Sequence, residues 1–148
     1  MHTVFDGADR NALLARLRRM TPDRPPRWGR MTAHQMLAHL GDQMRLTLGE
    51  LGAKPIANRL RNPILRRVVI YWLPWPEGKV QSPPEGFTTA PTTWAGDLAA
   101  LEERVERLAA HGPAGKWPEH PLFGPMSGRD WGVFCYRHFD HHLRQFDA

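Results

Sequence analysis

The chain has one cysteine, Cys135, in 148 residues, so no internal disulfide can form, and a reducing cytoplasm is the expected location. It has no long apolar run. The longest, VVIYWLPW (residues 68–75), is far too short to cross a bilayer, which argues against a membrane partner. The opening MHTVFDGADR has no apolar core behind a basic start, and no signal peptide is expected. No segment alternates with period two for long enough to make a strand, so a β-rich fold is excluded. No HExxH motif is present, so the adjacent glutamate base of that metallohydrolase class is missing.

The positive charge, net +5, comes almost entirely from arginine in stretches such as RLRR, RLRNPILRR and DRPPRWGR. Such a surface attracts anions in general. No nucleic-acid reader motif accompanies it, which disfavours that partner. Proline and glycine, 14 and 13 residues, cluster between periodic segments and mark ordered elements joined by loops. The length suits a single domain spanning residues 1–148 with a genuine core.

Four long helices are predicted. Asp6 or Asp9 caps the first, NALLARLRRM, where Leu13, Leu14, Leu17 and Met20 recur at helical spacing. The second begins at MTAHQM: Thr32 is the N-cap, Gln35 completes a capping box, and Met31 and Met36 form a staple. It runs to about Leu48. In NPILRRVVIYWLPWP, Asn58 or Asn62 caps an extra short helix with Pro63 in its first turn. A long proline-rich loop, residues 77–91, follows. The third long helix starts after Thr92 or Thr93 and stops at Gly112. In the fourth, MSGRDW repeats the capping signature, with Ser127 as cap, Asp130 as box acid, and Met126 and Trp131 as staple. The expected fold is all-α, an antiparallel four-helix bundle.

The C-terminal stretch YRHFDHHLRQF holds three histidines within five residues. At about 100° per residue, His138 and His142 share a face with Trp131, Phe134, Cys135, Phe139 and Phe146. Arg137, Asp140 and Arg144 lie opposite, and His141 falls at the flank. On the second helix His39 sits at the edge of the apolar stripe, with Gln43 one turn on, while His34 points to solvent. If these helices are neighbours, His39 faces His138 and His142 and makes a three-nitrogen site, as in other bundles with inward ligands. Three neutral imidazoles suit zinc, nickel, cobalt, copper or ferrous iron; zinc and nickel lead, and manganese is a further option. Gln43 and Gln145 are placed to bond ligand nitrogens or bound water, and Asp42, Gln43 or Gln145 to position substrate. A hydrogen-bonded or surface histidine pair is the competing reading. Cys135, one turn before His138, is a conceivable sulfur ligand, although an unpaired cysteine is usually a small buried hydrophobe. His111 and His120 read as loop or helix-end residues. Trp72 and Trp75 read as core packing or as an association surface.

MLAHLGDQMRL (residues 36–46) and HFDHHLRQF (residues 138–146) resemble the two signature segments of the DinB/YfiT-like superfamily. RWGRMTAHQM and HPLFGPMSGRDWG are similar to one branch catalogued only as a domain of unknown function. The resemblance implies a four-helix bundle with His39 as the first metal ligand, His138 as the second and His142 as the third. His141 matches none. It also implies thiol-dependent S-transferase or isomerase chemistry using bacillithiol, mycothiol or glutathione, and so an anionic low-molecular-weight thiol as partner. A metal-dependent hydrolase and a non-catalytic, self-associating bundle are the alternatives. A homodimer is compatible with each.

Overall fold

The computed structural model describes residues 1–78 and 87–148. Eight residues of the expected 77–91 loop, 79–86, therefore lie outside the described residues. Among the described residues five α-helices carry the fold: α1 (Gly7–Arg18), α2 (Ala33–Thr47), α3 (Pro63–Tyr71), α4 (Trp94–His111) and α5 (Gly128–Gln145). No strand occurs among the described residues; one bridge pairs His120 with Gly124.

Each helix begins on a side chain that takes up otherwise orphaned backbone N–H groups. Of the two candidates, Asp6 caps α1, and Asp9 instead accepts from the Thr3 amide and meets the His2 ring. Thr32–Gln35 and Ser127–Asp130 form complete capping boxes on α2 and α5. Both asparagines of the third segment are used. Asn58 caps a 3₁₀ turn (Arg59–Arg61), and Asn62 caps α3 with Pro63 at its start. Thr93 caps α4, which stops where Gly112 takes φ +68°, a left-handed value that suits glycine.

Ion pairs reveal the helix directions. His34 meets Asp97 at the starts of α2 and α4, and Arg107 meets Glu50 at their ends, so α2 and α4 run the same way. Arg16 binds Asp140, and Val4 donates to the carbonyl of Gly132, so α1 and α5 also run together. Antiparallel contacts join α1 to α4 through Arg10–Glu106 and Arg18–Glu102, and α2 to α5 through the histidines described below. The long crossover from α2 to α4 contains α3.

Leu17, Met36, Leu40, Leu101, Leu108, Trp131 and Phe139 are fully buried in the core between these helices. Burying one such side chain stabilises the fold by about 1.5–3 kcal/mol. Arg137, expected on the solvent side of α5, is drawn into the α3–α5 contact. Its guanidinium donates to the carbonyls of Val69, Ile70 and Leu73 at the end of α3 and lies 5.2 Å above the Trp75 ring. Tyr71 donates to Asp130 at 2.8 Å, tying the same helix end to the cap of α5. These contacts press Trp75 against Phe134, whereas Trp72 is 68% exposed.

Candidate metal centre

α2 and α5 cross where each has an apolar stripe broken by imidazoles. His39, His138 and His142 are all buried, and one ring nitrogen from each lies within 4.8 Å of the others. His138 Nε2 is 3.1 Å from His39 Nε2 and 3.0 Å from His142 Nε2.

The protons needed to make these contacts ordinary hydrogen bonds are too few. Gln145 Nε2 donates to the carbonyl of Trp28 at 2.8 Å, which turns Oε1 towards His142 Nδ1, also at 2.8 Å. His142 therefore carries its proton on Nδ1 and presents a bare Nε2 lone pair. One proton on His138 Nε2 can bridge to one neighbour, not to both. Nδ1 of His138 is itself buried without a partner among the described residues. A cation among the three nitrogens accepts every lone pair at once. With metal–nitrogen bonds of about 2.0–2.1 Å, neighbouring ligand nitrogens stand about 2.9–3.4 Å apart, the separation found for His138 with each of its two neighbours. The residues present thus fit a divalent ion.

Electrostatics point the same way. Burial, reinforced by the surrounding histidines, holds His138 well below the ordinary imidazole range, and burial with His39 alongside pushes His142 down to about 3. Both rings are neutral, the state a ligand requires, so ion uptake at neutral pH displaces no proton from them.

Other positions answer the sequence expectations individually. Gln43 lies in the wall of the adjoining cavity, with Nε2 3.4 Å from Thr47 Oγ1. Asp42 is fully buried and does not line that cavity. Its carboxylate accepts from the amide and hydroxyl of both Thr88 and Thr89 and from Arg45, so it anchors the returning crossover rather than facing a ligand. Burial raises its pKa, but those donors outweigh that effect and hold it low. The anchor sets Phe87 flat against His39, with centroids 4.7 Å apart. Cys135 is no ligand within this histidine group. Its thiol packs 3.7 Å from Thr47 Oγ1, and burial pushes it up to about 12.

His34, expected in solvent, is partly covered because α4 runs alongside α2. Its Nε2 meets Asp97 at 2.7 Å. His141 does sit at the flank, half-buried between Trp28 and Trp75. His111 is exposed near the end of α4.

His120 is the residue the sequence reading missed. It is buried, with its ring against Phe123, Trp131 and Phe134, and burial lowers it to about 3. The signal was HPLFG: a side-chain acceptor followed by proline and, four residues on, a glycine with φ +70° makes a side-chain-capped turn.

Beside the three rings opens a cavity of about 1090 Å³. Trp28, Trp75, Phe87 and Phe134 provide much of its wall. Gly29 adopts φ +79° where a Cβ would stand 2.9 Å from Gln145 Nε2, so only glycine lets this segment approach the glutamine that orients His142. No helix among the described residues is long and apolar enough to cross a membrane.

No curated protein and no solved structure matches the chain. The profile of the DinB superfamily matches residues 7–146, nearly the whole sequence. With an all-helical bundle and three converging imidazoles, the chain belongs to the DinB superfamily.

Proposed function

We propose that the protein is a metal-dependent enzyme that transfers a low-molecular-weight thiol to an electrophile bound in the adjoining cavity. His39, His138 and His142 hold the ion, zinc or nickel foremost, with iron, cobalt or manganese as alternatives. The observation that carries this reading is the convergence of three Nε2 atoms at 3.0 and 3.1 Å with too few protons to bond them. A divalent metal so held supplies Lewis acidity that keeps a bound thiol in its thiolate form. Gln145 orients His142, while Gln43 and the aromatic wall position the electrophile and exclude water. RWGRMTAHQM and HPLFGPMSGRDWG support assignment to the branch known only as a domain of unknown function. A single domain working in the cytoplasm on an anionic thiol completes the proposal.

Hydrolysis ranks lower because no carboxylate among the described lining residues can serve as a general base. The test is elemental analysis of untagged protein, followed by thiol consumption across a panel of electrophiles by metal-loaded wild type and His142→Ala. Equal rates would end the transferase reading, and turnover without thiol would favour hydrolysis. A second reading, a non-catalytic self-associating bundle, draws on the exposed Ile64 and Trp72 of the α3 region. It moves ahead if zinc and nickel leave thermal stability unchanged while Trp72→Ala converts a dimer to a monomer in sedimentation.

A further inference from the structure

His120 has no part in the proposed ion site, yet its position is heavily constrained. Its backbone amide and carbonyl pair with Gly124 at 2.9 and 2.8 Å, and Asn58 holds the carbonyl of Leu122 at 3.0 Å. Inside this turn the amides of Leu122 and Phe123 both donate to His120 Nδ1, at 3.1 and 3.3 Å. A nitrogen that accepts two N–H groups carries no proton, so in the neutral ring the hydrogen sits on Nε2. That Nε2–H has no hydrogen-bond partner among the described residues, although the residue is only 4% exposed and its ring forms part of the cavity wall. It is not among the fully buried unpartnered side-chain atoms, and the cavity is the space from which an acceptor can reach it. An asparagine oxygen could accept for the turn without placing a donor at the cavity wall, so the turn alone does not account for an imidazole here.

The rest of the wall indicates which acceptor would suit this donor. Arg30 is the one charged side chain among the described lining residues, and no carboxylate among the described residues pairs with it. No described carboxylate lines the cavity, so its described residues offer a cation no counter-charge. Among the described lining residues, five large aromatic rings, those of Trp28, Trp75, Phe87, Phe123 and Phe134, provide apolar contact.

We infer that His120 Nε2–H is a fixed hydrogen-bond donor that recognises an oxygen of an apolar or aromatic carboxylate bound in this cavity. Arg30 supplies a favourable potential at the same wall. The inference deepens the proposed function by naming a ligand class for its cavity, and it rests on that reading only in using the same space.

Benzoate is the probe, and benzylamine, of similar shape and opposite charge, is the control. In long-range ¹H–¹⁵N spectra, His120 should appear as the Nε2–H tautomer and its Nε2 resonance should move on addition of benzoate but not benzylamine. His120→Asn keeps an acceptor for the turn and removes the distant donor. His120→Gln carries an amide towards the Nε2 position. The asparagine variant is expected to weaken benzoate binding about tenfold or more, the glutamine variant to retain most of it, and zinc affinity to stay unchanged in the asparagine variant. Benzoate binding that is equal in His120→Asn, that leaves Nε2 unmoved, or that does not occur would overturn the inference; the N–H then serves packing against Phe134 alone. Titrations with zinc and in EDTA separate the two proposals. A His120-dependent benzoate effect in protein that takes up no zinc upholds recognition and defeats the metal centre. Zinc uptake with benzoate binding indifferent to His120→Asn does the reverse.

Discussion

Gln145 Oε1 stands 2.8 Å from His142 Nδ1, and the same amide reaches the carbonyl of Trp28 through Nε2. One side chain thus fixes both the tautomer of His142 and the loop that walls the cavity. Replacing it with alanine is expected to weaken zinc binding about 10–100-fold, the usual effect of losing a hydrogen-bond partner of a ligand. Competition against a chromophoric chelator measures this. Unchanged affinity would mean that packing alone orients His142.

Asp42 is expected to matter for stability. Its buried carboxylate receives five hydrogen bonds from Thr88, Thr89 and Arg45, and alanine would leave those donors without an acceptor. We expect Asp42→Ala to lose about 3 kcal/mol or more in urea unfolding. It should also release Phe87 from His39, visible as loss of ring-current shifts on the imidazole. A loss below about 1 kcal/mol would show that the crossover is held elsewhere.

Acid should unfold the metal-free protein earlier than its carboxylates alone imply. His120 and His142 titrate near 3 when folded because of burial, against about 6.5 when unfolded. Between those values the unfolded chain binds more protons, so stability rises with pH and falls on acidification below about 6.5. Each group contributes a slope of about 1.4 kcal/mol per pH unit inside that window. His120→Asn, measured in EDTA between about pH 6 and pH 4.5, should remove one such contribution. An identical slope would show that His120 is not held neutral.

Cys135 is fully buried and its thiol is pushed up to about 12. At pH 8 a disulfide reagent such as DTNB should therefore react only as fast as the protein opens. Reaction should be complete in urea and slow in buffer. Rapid modification of native protein would contradict this packing.

The helices were legible because their signals are local. Thr32–Gln35 and Ser127–Asp130 are contained in four-residue words, and both form the predicted boxes. The shared face of His138 and His142 follows from helical geometry alone, and with His39 they converge. What escaped depends on distant partners. The pattern of α2 alone places His34 in solvent, whereas α4, packed alongside, brings Asp97 to it. Arg137 has the pattern of a surface cation and finds its carbonyls on α3, over 60 residues away. Asp42 has the pattern of a catalytic carboxylate and is occupied by two threonines of the crossover. His120 depends on a turn whose geometry periodicity cannot register.

His39 and His138 are 99 positions apart in the chain and belong to helices joined through the crossover, α3 and α4. Their meeting is among the most expensive loop closures this topology requires, and contacts of such separation are slow to form. A nascent chain that has emerged only as far as α4 offers one imidazole of the trio, His39, and so no chelate. The trio can compete for ions only after the final helix has docked, so its occupancy would report completed folding rather than seed it.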